Sequence, residues 1–236
     1  MWLLALVPLC LAVFASLGIW TVFAVSVMNN TVNLTNGFPY ISECAWVPPQ
    51  KCLFSQICNL IVLSALWIGM VQFQQVKQLG NHGRVNTASA IVGFLSCGGL
   101  SISTSFHHPE TNPIHVGGAT VALLLAILYF WLQVYLTYEG RSFPERVWMW
   151  PLRALICTIG SLIGFAIIGF FLIDYISGLT VCEFALAMVI FILFGLFAVE
   201  FRHIECHILI VQKTQLKDEK NLESVKANFT VVEAIS

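Results

Sequence analysis

Three histidines and three carboxylates are predicted to share one side of the protein, where together they could sense pH. They occur in the order His107, His108, Glu110, His115, Asp174 and Glu183. The unperturbed pKa of histidine is about 6.5, so the imidazoles would gain charge in an acidic compartment and be drawn toward the carboxylates. The alternative is an ordinary solvated loop, with Glu183 hydrogen-bonded inside a helical bundle. The residue types indicate a candidate proton sensor and leave both interpretations open.

Cys44 and Cys52 flank the diproline Pro48–Pro49 in the longest loop between apolar segments. A disulfide between them would close a small loop and stabilise the fold by about 2 kcal/mol, provided the compartment is oxidising. We predict this disulfide. The alternative is that Cys52 already belongs to the following helix and is reduced. The other cysteines lie in or beside apolar segments and are expected to behave as small apolar residues.

The same loop contains two matches to the acceptor pattern for N-linked glycosylation. Asn29 and Asn33 begin these matches, and each is followed two residues later by threonine. Both positions are predicted to lie on the side where the transfer machinery works, close to the membrane. We therefore treat Asn29 and Asn33 as candidate glycosylation sites.

Near the carboxyl terminus, His203, Cys206 and His207 have the spacing that places three side chains on one helical face. Zinc needs four ligands in a structural site, and no fourth ligand is evident nearby. An interfacial helix end, with Cys206 available for palmitoylation, fits the pattern better. We predict no metal site, no catalytic residue and no cofactor, since the sequence also lacks the common hydrolase, nucleotide-binding and metalloprotease motifs.

The elements that must position these residues are apolar segments. Of 236 residues, 58% are hydrophobic and only 10% are charged, whereas about 25% are charged in a typical soluble domain. The gaps between charges define six segments, at residues 2–28, 53–73, 87–106, 116–136, 154–173 and 179–199. Each can cross a bilayer, which takes about 20 residues. The prediction is an all-α bundle of six transmembrane helices over residues 1–199, followed by a polar cytosolic tail over residues 200–236.

The distribution of Lys and Arg predicts the orientation of the bundle. Ten of the eleven basic residues fall on the side that carries both termini, and only Lys51 falls on the other. Basic residues are retained in the cytosol during insertion, so both termini are expected to be cytosolic. The net charge of −1 gives no reason to expect nucleic acid as a partner. The lipid bilayer is therefore the expected environment of the helices. Gly160 and Gly164 permit close helix packing, either within the bundle or with a second copy.

Several short motifs resemble those of one family of membrane proteins. They are the runs 37–42 (GFPYIS), 48–56 (PPQKCLFSQ), 115–118 (HVGG), 129–133 (YFWLQ), 182–184 (CEF) and 197–201 (FAVEF). The chain is similar to the family that unites the damage-regulated autophagy modulators, the transmembrane protein 150 group and the yeast Sfk-type proteins. It most resembles the B-type branch of the 150 group, over nearly all of the chain except the tail.

This resemblance implies a non-enzymatic regulator that promotes macroautophagy from plasma, endosomal and lysosomal membranes. The family offers no catalytic residue to transfer, so the motif residues are carried over as structural marks: Pro39, Tyr40, Ile41, Ser42, Pro48, Pro49, Phe54, Ser55 and Glu183. The prolines are expected to stiffen the long loop. That loop would then lie over the helix ends as a cap, and Glu183 could accept hydrogen bonds from it.

Two other functions suggested by the relatives stay open. One is a plasma-membrane adaptor that recruits a phosphoinositide kinase, with the basic cytosolic loops close to anionic lipid. The other is a subunit or modulator of an ion channel, although the sequence shows no apparent pore lining. Either function, like the autophagic one, requires membrane or cytosolic protein partners that the sequence does not identify.

Overall fold

The computed structural model describes residues 3–78, 83–106, 112–140 and 146–202. Of these residues 88% are helical, and none is in a strand. The helices are α1 (Leu3–Met28), α2 (Ile41–Cys44), α3 (Gln50–Gln78), α4 (Arg84–Ser105), α5 (Asn112–Glu139), α6 (Arg146–Leu172), α7 (Ile176–Gly195) and α8 (Phe197–Phe201), with a 3-10 turn at Leu34–Asn36.

Six stretches of helix are long and apolar enough to cross a bilayer: α1, α3, α4, α5, α6 and the continuous pair α7–α8. Their outward faces carry large apolar side chains. Leu17, Leu63 and Phe165 are 63%, 66% and 70% exposed. Apolar surface of this extent is costly in water and favourable in lipid. The predicted all-α membrane bundle is confirmed.

The six spans form a closed ring in chain order. Each packs against the next, and α1 completes the ring by packing against α7 and α8. Because consecutive spans run antiparallel, residues 29–49 and the start of α7 lie at one end, which we call the loop end. The first residues of α1 and the last residues of α8 lie at the other, which we call the tail end.

Two glycines bring α4 and α5 into backbone contact. A Cβ added at Gly99 would lie 2.9 Å from the carbonyl oxygen of Gly118, and one at Gly118 would lie 2.8 Å from that of Gly99. Their neighbours Gly98 and Gly117 face open space. Gly99 and Gly118 therefore allow α4 and α5 to pack closely inside the bundle.

The other glycine pair also faces neighbouring helices of the same chain. A Cβ at Gly160 would lie 3.1 Å from Val189 of α7, and one at Gly164 would lie 3.4 Å from Ile127 of α5. This face of α6 is thus used within the bundle, as one of the two sequence interpretations expected.

Candidate functional site: a capped cavity at the loop end

The segment between α1 and α3 folds back over the bundle. Its residues Val32, Pro39, Ile41, Cys44 and Ala45 are buried. We call residues 29–49 the cap. Short α2 lies within it, and the Tyr40 backbone N–H before this helix donates to the Glu43 carboxylate at 3.3 Å.

The first turns of α7 fasten the cap through hydrogen bonds. The Thr180 hydroxyl donates to the Phe38 carbonyl oxygen at 2.9 Å, and the Ile41 backbone N–H donates to Glu183 Oε2 at 3.3 Å. Thr180 and Glu183 are three residues apart and so share a helical face. The expectation that Glu183 accepts a hydrogen bond from the cap is confirmed.

On the opposite side, polar bonds connect the cap to α1 and α3. The Gln50 side-chain amide donates to Thr31 Oγ1 at 3.0 Å, and the Thr31 hydroxyl donates to the Ser26 carbonyl oxygen at 2.9 Å. Ser26 and Gln50 are fully buried. Buried polar groups are stable only when they are paired in this way, so the pairs fix the cap relative to both helices.

Aromatic rings fill the contact between the cap and the bundle. Phe38 packs against Phe23 of α1 and Phe184 of α7, with ring centroids 5.3 and 5.0 Å apart. Trp20 adds a further contact with Phe184 at 5.4 Å. Aromatic pairs contribute about 0.5–1.5 kcal/mol beyond their burial. The cap is therefore an integral part of the packed structure.

Beneath the cap the ring of helices surrounds a cavity of about 170 Å³. Small side chains on the inner faces create this space, among them Gly93 of α4, Ala119 and Ala126 of α5 and Ala187 of α7. Ala119 and Ala126 are two helical turns apart and lie on one face. Because neighbouring helices are already in contact around the ring, these short side chains leave the centre unfilled.

Polar lining residues concentrate at the mouth of the cavity. Ser42 of the cap, Ser103 and Thr104 of α4, His115 of α5 and Glu183 of α7 all line it at the loop end. Deeper positions are mostly apolar, ending near Phe130 and Phe194. The site thus has a polar mouth and an apolar interior.

The motif residues quoted from the sequence meet at this mouth. Ile41, Ser42, Phe54 and Glu183 all line the cavity. Pro39 is buried in the cap, and Tyr40 and Ser55 are half-buried. Pro48 and Pro49 are exposed and joined by a cis peptide bond. The family resemblance gives these residues only as structural marks and suggests the contact between the cap and Glu183, but it does not predict a cavity beneath them.

His115 is buried at the contact between α4 and α5. Its Nδ1 lies 2.7 Å from the Ser103 carbonyl oxygen and 3.1 Å from Ser103 Oγ. This placement differs from the solvated loop expected as one alternative. His107 and His108 lie outside the described residues, so the proton-sensor hypothesis stays a prediction.

Carboxylates give the loop end a negative potential. Burial raises the pKa of the Tyr40 phenol, and the nearby charges of Glu183, Glu43 and Asp174 raise it further. Asp174 is exposed in the turn between α6 and α7, with a left-handed φ of 57° that Asp tolerates better than most residues. The mouth of the cavity is therefore suited to groups that donate hydrogen bonds or carry positive charge.

Cys44 and Cys52 are free thiols in the structure. Cys44 is buried on the inner side of the cap, and Cys52 is exposed. Burial raises the pKa of Cys44 to about 11, although a hydrogen bond with Ser26 opposes this. Cys52 lies in the first turn of α3, as the alternative interpretation expected. The predicted disulfide is not formed here and stays a prediction.

Both candidate glycosylation sites are on the surface of the cap. Asn29 and Asn33 are exposed. The Asn33 side-chain oxygen accepts hydrogen bonds from the Thr35 backbone N–H at 3.0 Å and from its hydroxyl at 2.8 Å. The acceptor amide and the threonine of this match are therefore already in contact.

A buried ion pair at the tail end was missed by the sequence reasoning. Arg153 Nη1 lies 2.9 Å from Glu200 Oε1, and the two side chains are 0% and 4% exposed. Arg153 also donates to Thr137 Oγ1 at 2.6 Å and lies 4.8 Å from the centre of the Phe197 ring. The spans predicted from the sequence leave Arg153 in a loop and Glu200 in the tail, because each lies one residue outside a span.

A chain of buried amides continues from this pair across the bundle. The Gln72 amide donates to Gln133 Oε1 at 3.3 Å, and the Gln133 amide donates to Ser89 Oγ at 2.8 Å. These contacts connect α3, α5 and α4. The sequence does carry a signal for these contacts, namely two glutamines within apolar segments. An uncharged polar side chain in a span usually has a buried partner.

His203, Cys206 and His207 lie outside the described residues, so the expectation of no metal there stays untested.

Comparison with known proteins gives matches over nearly the whole chain. A profile described as the Frag1/DRAM/Sfk1/Cwh43P N-terminal domain matches residues 3–204. The modulator of macroautophagy TMEM150B of Danio rerio is 42% identical over 221 residues, which cover 94% of this chain and 95% of the relative. The protein of the same name from Homo sapiens is 39% identical, covering 89% and 90%. Transmembrane protein 150A of Homo sapiens is 28% identical, covering 87% and 86%. No solved structure matches.

Proposed function

Because the chain belongs to the Frag1/DRAM/Sfk1/Cwh43P family, we propose that it is a membrane protein that modulates macroautophagy. The observation that carries this proposal is the 42% identity to a protein named as a modulator of macroautophagy, spread over 94% of the chain. Such coverage leaves only 6% of this chain outside the match. The relative is therefore similar to this chain over nearly its whole length and not over one segment of it.

In its finer form, the proposal is that the protein promotes autophagic flux from endosomal, lysosomal and plasma membranes without catalysing a reaction. It would act by contacting partners or lipids. Two buried polar sites, one at Glu183 and one at Arg153, support this form because their hydrogen bonds hold the helices and the cap together. Glu183 joins the cap to α7, and Arg153 joins α6 to α5 and α8.

The test compares cells that lack this protein with cells in which it is restored. Flux is measured as the lysosomal turnover of a lipidated autophagosome marker, with and without an inhibitor of lysosomal acidification. Loss of the protein is expected to lower flux during starvation, and re-expression to restore it. A Thr158→Val variant, changed at an exposed residue whose hydroxyl bonds only within its own helix, serves as the control and should restore flux fully.

Unchanged flux in the cells that lack the protein would overturn the proposal. Resynthesis of plasma-membrane phosphoinositides after their depletion is measured in the same cells. Slower resynthesis with normal flux would favour the adaptor function instead. Tagged protein that never colocalises with endosomal or lysosomal markers would contradict the proposed compartments while leaving the modulating role intact.

A further inference from the structure

The capped cavity has the shape and polarity of a binding site for a lipid chain. The lining on α5 extends from His115 to Phe130, which at a rise of about 1.5 Å per residue is about 22 Å. The hydrocarbon core of a bilayer is about 30 Å thick, so this lining reaches past the bilayer centre from the loop end. With a volume of about 170 Å³, the cavity is close in size to one that holds a single benzene molecule, so it accommodates part of a lipid chain from the leaflet at that end.

The order of polarity along the cavity also matches a lipid. The polar lining groups Ser42, His115 and Glu183 lie toward the loop end, and the small and apolar lining residues lie nearer the centre of the spans. In the bilayer, an apolar space beside lipid gains dispersion contacts when a hydrocarbon chain enters it. A water-filled cavity would need several polar partners in its interior.

Glu183 restricts which head group fits. One of its carboxylate oxygens accepts the Ile41 N–H of the cap, and the side chain also lines the cavity. In its ionised form Glu183 only accepts hydrogen bonds. The charges of Glu183, Glu43 and Asp174 all act on the nearby Tyr40 phenol, so this end carries negative potential. A head group that donates hydrogen bonds is favoured here, and an anionic one is disfavoured.

We propose that the cavity binds part of the single hydrocarbon chain of a lipid whose head group donates hydrogen bonds, through amine or hydroxyl groups, to Glu183. The cap covers the head group, and the faces of α4, α5 and α7 with small side chains contact that part of the chain. The proposal does not rest on the autophagic function, because it concerns binding by the isolated protein.

The test uses the full-length protein purified in lipid nanodiscs and two photoreactive probes with chains of equal length. One probe is a sphingosine, with an amine and hydroxyl groups, and the other is a fatty acid, with a carboxylate. After irradiation, crosslinked peptides are mapped by mass spectrometry. The sphingosine probe is expected to label cavity residues of α5 and α7, and to do so about tenfold more than the fatty acid.

Substitutions inside and outside the cavity separate bound lipid from lipid that surrounds the bundle. Ala126→Phe fills the cavity, whereas Leu124→Phe adds a ring on the outer face, where Leu124 is 54% exposed. We expect Ala126→Phe to reduce labelling about tenfold and Leu124→Phe to leave it unchanged. Glu183→Gln should remove most of the preference for sphingosine over the fatty acid.

Equal labelling of the Ala126→Phe and Leu124→Phe variants, or labelling confined to outward-facing residues, would overturn the proposal. Equal labelling of the wild type by both probes would also overturn it, since the head group would then not be recognised. If Ala126→Phe does not elute as a single species, Ala187→Phe replaces it, with Val181→Phe as the outer control. The map of crosslinks on the wild type decides the question if neither filled variant folds.

Discussion

At the scale of single residues, Thr180 and Glu183 show how two side chains on one helical turn fix a long loop. Each bonds to the backbone of the cap, so the contacts depend little on the cap's own side chains. Cys44, on the inner side of the same cap, reports whether these bonds hold. Cys44 is 1% exposed, and displacement of the cap is expected to expose it.

The two cap cysteines are expected to differ in reactivity toward maleimide. Burial raises the pKa of Cys44 to about 11, so at pH 8 only about one in a thousand of these thiols is the reactive thiolate. Cys52 is exposed. Mass spectrometry of detergent-solubilised protein that is reduced before labelling should therefore find Cys52 modified well before Cys44. Raising the pH from 8 toward 11 should accelerate the Cys44 reaction, and a rate that does not change with pH would contradict the assignment.

Thr180→Val is expected to loosen the cap. The substitution keeps the size of the side chain but leaves the Phe38 carbonyl oxygen without its donor, at a cost of about 1–3 kcal/mol. Cys44 should then react several times faster with maleimide at fixed pH. Thr158→Val is the matched control, since this exposed threonine bonds only to its own helix. Identical Cys44 rates in the two variants would show that Thr180 does not hold the cap.

At the scale of helices, the Arg153–Glu200 pair holds the most peripheral span. In the apolar 18-residue stretch of α6, only 11% of the residues are buried, which is the smallest share among the six spans. Apolar contacts alone therefore hold α6 weakly, and lipid competes for the same surface. The ion pair adds a contact that lipid cannot replace.

Removing one partner of this pair should destabilise the bundle more than removing both. Arg153→Met leaves the Glu200 carboxylate buried and unpaired, which costs about 3–5 kcal/mol in comparable buried pairs. The double variant Arg153→Met, Glu200→Leu buries no lone charge and should recover much of that loss. The thermal unfolding temperatures of the wild type, the single variant and the double variant, measured in detergent, give the order of their stabilities. A double variant no more stable than the single one would contradict this explanation.

The contact between α4 and α5 gives a second prediction at this scale. Gly118→Ala pushes a methyl group against the backbone of α4, 2.8 Å from the Gly99 oxygen, and overpacking of this kind costs about 1–3 kcal/mol. Gly117→Ala, one residue away, adds the same methyl group to open space. We expect a lower unfolding temperature for Gly118→Ala only. Equal temperatures would mean that the two helices separate easily.

At the scale of the whole molecule, the orientation in the membrane decides which sites meet which compartment. Asn29 and Asn33 are exposed on the cap, so glycosylation of either requires the loop end to face the lumen. Glycosidase treatment should shift the wild type on a gel, and the double variant Asn29→Gln, Asn33→Gln should run at the shifted position without treatment. An epitope fused at Ser236 that antibody reaches in intact cells would instead show that the orientation is the opposite of the predicted one.

The sequence by itself determined the all-α class, the six spans and the resemblance to the family, because span length and low charge are local properties of the chain. It also suggested that Glu183 would bond to the cap. Only the tertiary structure brought Ile41, Phe54 and Glu183 to one cavity mouth and paired Arg153 with Glu200. Those pairs join segments distant in sequence, and no periodicity within one span records which helices become neighbours or where short side chains leave a space between them.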